Sequence, residues 1–435
     1  MNQKTLHIAI ATTGLTGILN ASIALALRLQ KEGHRITYMC PQDVRKTVVT
    51  HGLDYVQLPS VNFYFKLEEE GLKKRFWYGL KNYEKGKKVL KIGQFKGALT
   101  DIKADKLLID TELHELIFCA IQLKIPVTPI TQFFPNLIRP KVPPISSTSL
   151  PGKGLWGTRI GILLSWLHSK YYTRKRILID ILKKRDGRRQ TLNRYAAEVG
   201  IKGGWLEQTY FPPVFEYKGL NVLTLNLEQL DFPNSSLPNF YYTGPMVNED
   251  RNNIHPSESI DAINKILAQK KDKKLIYCSV SSMHEADIAF LKKVVKAFEA
   301  SPQWLLVLSL GGKSEASDFE NIPKNVHLFK WVPQIKVLKN ADVSLCHGGV
   351  HTINECIHFS VPMLIYSGGK FDQNGCTARV VYHGLGIAGN KKRDSPTKIK
   401  NKIAELIQNK RYANSMEQMR ESYLTSRKKA ITPIV

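Results

Sequence analysis

A strand-like run, Asp342-Val-Ser-Leu-Cys346, breaks off at His347-Gly348-Gly349. It gives way to Val350-His351-Thr352-Ile353-Asn354-Glu355, where apolar residues recur at helical spacing. The first N–H groups of a helix have no intrahelical partners, and the helix dipole adds positive charge beside them. Two glycines let an anion approach the backbone, and the His347 ring supplies a further donor. Glu355, further along the same helix, can accept two hydroxyl protons from a ribose. The chemistry these residues suit is the binding of a nucleoside diphosphate. A tight strand-to-helix turn would account for His-Gly-Gly alone, so neighbouring groups decide. Sixteen residues before His347 stands Trp331, in "WVPQ", with an aromatic face for a base and with Val332 and Gln334 beside it. Seventeen residues after Glu355 stand Asp372 and Gln373, a pair suited to sugar hydroxyls. Two more strand ends pass into Gly or Ser at a helix start, "CSVSSMH" at 278–284 and "LSLGGK" at 308–313.

The elements that must position these groups follow from apolar patterning. "LHIAIAT", "RITYMC", "DKLLID" and "IPVTPIT" are near-continuous apolar runs, as buried parallel strands are. "ASIALALRLQKEG" and "LHELIFCAIQL" have helical spacing and fall between them. The rhythm returns after residue 260 with strands in "KKLIYCSV", "WLLVLSL", "NVHLFKWV", "VSLC" and "VPMLIY". The predicted fold class is α/β, two Rossmann-like parallel-sheet domains facing a cleft. Residues 1–230 form the first domain, 231–260 a Pro/Asn/Ser-rich linker, 261–405 the second domain and 406–435 a helical tail. Ligands of such sheets bind beyond the carboxyl ends of the strands.

The 435 residues suffice for two domains. The net charge is +26, and residues 1–218 hold most of it, with 35 Lys and Arg against 17 Asp and Glu. Such a surplus favours polyanions: nucleic acid, anionic lipid or phosphorylated substrates. No zinc-finger spacing or aromatic RNA-binding strand is present, so nucleic acid is not expected as a partner. The six cysteines form no C-x-x-C pair and lie in apolar runs, which fits buried thiols in the reducing cytoplasm and no metal site. No uninterrupted apolar run is long enough to span a bilayer, and the N-terminus parses as strand, glycine loop and helix, not as a signal peptide.

The ordered set "WVPQ…HGGVHTINE…P…DQ" resembles the nucleotide-sugar signature of the UDP-glycosyltransferases (glycosyltransferase family 1, two-domain GT-B fold). The likeness extends to the first βαβ unit, the "YCSVSS" strand end, "YTGP" and the C-terminal helices. It implies an inverting, metal-independent enzyme with a UDP-sugar as donor substrate and no cofactor. Carried onto this chain, it implies nucleotide-sugar binding by Ser282, Trp331, Val332, Gln334, His347, Gly348, Gly349, His351, Thr352, Glu355, Asp372 and Gln373. The first half is most similar to bacterial zeaxanthin (carotenoid) glucosyltransferases, which implies glucose transfer to a lipophilic acceptor such as a carotenoid or lipid. A phenolic or polyketide acceptor is the alternative.

Inversion needs a base for the acceptor hydroxyl. The family's histidine follows the first strand, where this chain has Ile18. The aspartate that orients that histidine aligns with Asp110, which makes Asp110 the candidate base, with Glu112 and His114 as neighbours able to serve. An acidic acceptor hydroxyl that needs little help, or a non-catalytic sugar-nucleotide-binding protein, are the other outcomes. Residues 170–189 hold nine Lys or Arg, preceded by Trp156, Leu163, Leu164, Trp166 and Leu167. Segment 156–189 is therefore expected to dock peripherally on an anionic membrane surface at its cytoplasmic face.

Overall fold

A computed structural model describes residues 4–63, 65, 80–183, 185–210, 214–233, 237–250, 257–279, 287–311, 314–370 and 372–431. Two parallel sheets organise them. In spatial order the first contains Asp54–Gln57, Arg35–Cys40, His7–Ala11, Lys106–Asp110, Val127–Thr131, Val222–Thr224 and Phe240–Tyr242. The second contains Val326–Phe329, Trp304–Ser309, Lys274–Ser279, Val343–Cys346, Met363–Ile365 and Gly386–Ala388. Every strand predicted from apolar runs is present.

Each strand order runs outward in both directions from the sheet's first strand, so each sheet has a switch point where a crevice opens. In the first sheet it lies between His7–Ala11 and Lys106–Asp110, paired in parallel. In the second it lies between Lys274–Ser279 and Val343–Cys346. Both sheets are covered on both faces, which is why their strands lack polar alternation. Ile8 and Ile10 pack against the helix Thr16–Lys31, while Ala9 and Ala11 face the opposite core with Phe95, Leu116 and Phe118. Leu275 and Tyr277 separate from Ile276 and Cys278 in the same way. All six cysteines are free and buried. Burial pushes the Cys278 and Cys346 thiols up to about 12.

The strands Asp54–Gln57, Val222–Thr224 and Gly386–Ala388 were not predicted, and neither were three further features. An antiparallel hairpin pairs Leu206–Gln208 with Phe215–Tyr217. The Pro/Asn-rich stretch supplies Phe240–Tyr242 as the edge strand of the first sheet. The helix Lys410–Lys428 leads back to the first half: Arg28 donates to the carbonyls of Arg427 and Lys429, and the Ile431 N–H donates to Glu32. Ile431 packs into the core containing Ile8 and Ile18.

Candidate functional site

The turn at 347–349 is built as its residue types require. Gly348 has φ of 86°, a left-handed conformation, and a Cβ there would meet Thr377 Oγ1 at 2.9 Å and Ile365 Cγ2 at 3.0 Å. A Cβ on Gly349 would fall 2.6 Å from His347 Nε2, so the second glycine makes room for the imidazole. Gly349 is the N-cap of Val350–His358, and the buried Thr352 and Glu355 lie along that helix. The first N–H groups of this helix therefore open where the strand Val343–Cys346 ends, at the switch point.

Two more predicted groups meet this helix. Gln334 starts the short helix Gln334–Leu338; its Nε2 donates to Glu355 Oε2 at 2.5 Å, and its Oε1 accepts from the Tyr277 hydroxyl at 3.1 Å. Gln334 and Glu355 thus form one polar wall. Trp331, just before it, is 47% exposed and offers a ring face, while Val332 is buried beneath. Asp372 occupies the N-cap position of the helix Gln373–Tyr382 without a capping hydrogen bond from its side chain, and burial pushes its carboxyl up to about 6. The Gln373 carbonyl oxygen Oε1 accepts from the Gly368 N–H at 2.9 Å, which shapes the loop after Met363–Ile365. Ser282 lies outside the described residues. Among the described residues no group of three or more His, Cys, Asp or Glu gathers as a metal site would require.

The opposing crevice differs. Ile18 is fully buried in the core, packed among residues such as Ile8, Ile10 and Ile23. Asp110 ends its strand and is only 2% exposed. Its Oδ2 accepts from Thr13 N at 3.3 Å and Thr13 Oγ1 at 3.2 Å, and its Oδ1 accepts from Glu112 N at 3.1 Å. The carboxylate thus ties the glycine loop to the end of Lys106–Asp110. Burial raises Asp110 to about 6; burial, and then the Asp110 charge, raise Glu112 to about 8. His114 is fully enclosed: Nδ1 meets the Tyr217 hydroxyl at 2.6 Å, and Nε2 accepts from the N–H groups of Val214 and Phe215. Burial drives its pKa well down. His114 is therefore a core residue facing the 206–217 hairpin and is not placed to serve as the base.

Contacts across the cleft show what local pattern could not. His351 reaches the first half: its Nε2 lies 2.8 Å from Gln132 Oε1, and a Cβ on Gly17 would fall 2.5 Å from its Cδ2. The His351 ring thus occupies the space beside the residue that precedes Ile18. The Gln132 side chain also acts on Glu112, offsetting part of the upward push that burial gives its carboxyl. Asn354 donates to Asn226 Oδ1 at 3.1 Å, and Asn374 donates to the Ser146 carbonyl at 3.1 Å.

Deeper still, Asp231 joins both halves. Arg379 Nε donates to it at 2.8 Å, Arg139 Nη1 at 3.2 Å and the Tyr242 hydroxyl at 2.7 Å. The Arg379 guanidinium lies 4.3 Å from the Phe134 ring centroid and 4.6 Å from that of Phe232. Burial alone would raise Asp231, but Arg379 and Arg139 outweigh it and hold the carboxyl below its ordinary range. Sequence reasoning missed this hub. Its only local signal was an acid amid prolines in a supposed linker.

Comparison with known proteins bears on the fold. The profile of the "Erythromycin biosynthesis protein CIII-like, C-terminal domain" family matches residues 306–430. The NDP-glycosyltransferase YjiC of Bacillus subtilis is 23% identical over 88% of this chain and 85% of its own length. The zeaxanthin glucosyltransferase of Pantoea ananas is 29% identical, over 36% of this chain and 35% of its own length. Among solved structures, the glycotransferase of kitacinnamycin superposes with a TM-score of 0.68 at 21% identity, covering 99% of this chain and 97% of that one. The two sheets and their cleft are those of the GT-B glycosyltransferases.

Proposed function

We propose that this chain is a UDP-glycosyltransferase of glycosyltransferase family 1 and that it moves a sugar, glucose first among candidates, from a UDP-sugar to a hydroxyl of a lipophilic acceptor. A carotenoid or lipid is the favoured acceptor class. Residues 261–405 hold the donor, and residues 1–230 hold the acceptor. The observation that carries this reading is the His347-Gly348-Gly349 turn at a switch point, flanked by the Gln334–Glu355 wall and the exposed Trp331.

Each group has a role its chemistry allows. Trp331 stacks the base, with Val332 and Gln334 beside it, and Glu355 takes the ribose hydroxyls. His347, Thr352 and the first N–H groups of Val350–His358 face the diphosphate. Asp372 and Gln373 face the sugar. The reaction is a displacement with inversion and without metal. The acceptor oxygen loses its proton to a base and attacks the anomeric carbon, and the bond from that carbon to the UDP oxygen breaks. The charge that develops on UDP lies where the helix N-terminus and His347 stabilise it before the bond breaks.

Asp110 is the first candidate for the base: its raised pKa suits a group that exchanges protons near neutrality. A second reading is favoured by one observation, the approach of His351 to Gly17 and Gln132. There the imidazole enters from the opposite half and takes the proton, with Gln132 and Glu112 orienting it.

The test is UDP release and product mass with UDP-glucose and a lipid and pigment extract, for wild type, Asp110→Asn and His351→Gln. A product heavier by one hexose supports transfer. Loss in Asp110→Asn alone assigns the base to Asp110, whereas loss in His351→Gln with UDP affinity retained assigns it to His351. UDP binding without release from any sugar nucleotide or acceptor would overturn the reading in favour of a non-catalytic binding protein.

A further inference from the structure

The helix Arg159–Leu182 runs for 24 residues, and only one face of it belongs to the body. Gly161, Ile162 and Trp166 are buried, and Trp166 Nε1 donates to the Val142 carbonyl at 2.8 Å. A Cβ on Gly161 would lie 2.4 Å from the Leu155 carbonyl, so the glycine lets the preceding turn fold tightly against the helix. Thr158 caps the start by accepting from Gly161 N.

The opposite face is apolar and uncovered. Ile160, Leu164, Leu167, Tyr171, Leu178 and Leu182 are all exposed, Ile160 by 73% and Leu182 by 64%. They recur at steps of three, four and seven, so they form a single stripe along the helix. Leu155, 84% exposed, and Trp156 extend the stripe past the N-terminus. A soluble chain rarely presents so continuous an apolar strip to water unless something covers it.

Charge identifies the cover. The helix carries five Lys or Arg and a single acid, Asp180. Arg174 and Lys175 are exposed and fall between Tyr171 and Leu178 on the stripe itself, with exposed Lys183 and Arg185 just beyond its end. A second copy of the helix would set these cations against their equals. An anionic surface would neutralise them while its interior took the leucines. Part of the basic run is spoken for elsewhere: Lys170 pairs with Glu207, and Arg188 is buried in a two-pronged pair with Glu115 at 2.6 and 2.8 Å. Among the described residues no helix is long and apolar enough to cross a membrane.

We propose that the outer face of Arg159–Leu182, with Leu155 and Trp156, docks in the plane of a bilayer that contains anionic lipid. The Trp156 ring and the leucines enter the acyl boundary, while Arg174, Lys175, Lys183 and Arg185 meet the headgroups. The same helix leans on the cleft. Its Trp166 bonds Val142, and three residues on Ile145 accepts from Gly375 N at 2.8 Å, in the helix that begins at Asp372–Gln373. A lipophilic acceptor leaving the bilayer would thus enter beside the donor site; this last clause rests on the transferase reading, and docking does not.

The test is co-sedimentation of the full chain with vesicles of phosphatidylcholine alone or mixed with phosphatidylglycerol. The expected result is binding to the anionic vesicles that weakens with salt. Leu164→Glu with Leu167→Glu should lower binding roughly tenfold or more, and Arg174→Glu with Lys175→Glu by a similar factor, from about 1 kcal/mol per basic residue at the surface. Lys324→Glu with Lys392→Glu, a charge-matched control on the second half, should leave it unchanged. Thermal midpoints and UDP affinity of each variant verify that the fold is intact, and Trp156→Glu replaces the leucine pair should that pair unfold. Equal binding by all variants, or none to any vesicle, overturns the proposal. A dimer in solution that the leucine variants abolish, without vesicle binding, would instead assign the face to a second copy. Vesicle binding without sugar transfer leaves docking standing, and transfer without vesicle binding removes docking alone.

Discussion

The two switch points have the same strand order and the same glycine-rich passage into a helix, yet they are finished in opposite ways. After Val343–Cys346 the turn is emptied of bulk: Gly348 and Gly349 leave space for the His347 ring at the start of the helix Val350–His358. After His7–Ala11 the turn is filled: Ile18 points into the core, and Asp110 closes on Thr13 and the Glu112 amide. One turn is cleared by glycines, and the other is tied down by its own carboxylate. From across the cleft, the His351 ring comes to lie beside Gly17 and 2.8 Å from Gln132 Oε1.

Breaking what joins the two crevices should have the largest effect. Asp231→Ala leaves Arg379 buried without its carboxylate and should cost about 3–5 kcal/mol in denaturant unfolding; a loss below 1 kcal/mol would mean the hub is incidental. His347→Ala tests the open crevice. Loss of one donor to a charged group costs about 1.5–3 kcal/mol, so UDP should bind roughly 10- to 150-fold more weakly by calorimetry while unfolding stays near wild type. Trp331→Ala should weaken UDP by about fivefold, the lower end of about 1–3 kcal/mol for base stacking, because its ring is half exposed. Pyrophosphate affinity should not change; an equal loss for both ligands would show that the ring shapes the phosphate site instead.

The smallest effect is a matter of pH and separates the crevices most finely. Asp110 is raised to about 6, so its protonated form is favoured by folding. Its stability contribution is full below the ordinary carboxylate pKa near 4 and is lost as pH rises through about 6. Asp231 is depressed, so its contribution is present above that ordinary value and is lost as pH falls below it. Wild type should therefore lose some stability between about pH 4 and 6, and Asp110→Asn should flatten that slope. If Asp110 is the base, kcat/KM rises through the same window; a rate limb that survives in Asp110→Asn would move the proton to another group.

What the sequence disclosed depended on how far each interaction reaches. Buried parallel strands are apolar because both their faces are covered, so all the main strands could be read directly. The need for Gly348 and Gly349 is local too, and His-Gly-Gly stood out. Short edge strands such as Gly386–Ala388 gave no run to detect. The 206–217 hairpin explains why His114, attractive in sequence, is a core residue. Asp231 and Arg379 lie 148 residues apart and meet only when both halves are in place. Nor could helical periodicity show that His351 would lie against Gly17, since that contact crosses the cleft.

Ile431 completes a hydrophobic corner whose other walls belong to the first sheet, and its N–H reaches Glu32, 399 positions earlier in the chain. During synthesis that corner must wait, with its other residues already made, until position 431 clears the ribosome. The early half can collapse around its own strands, but it gains its last contacts only after the later half exists. Translation order thus couples the maturation of the first half to the presence of the second.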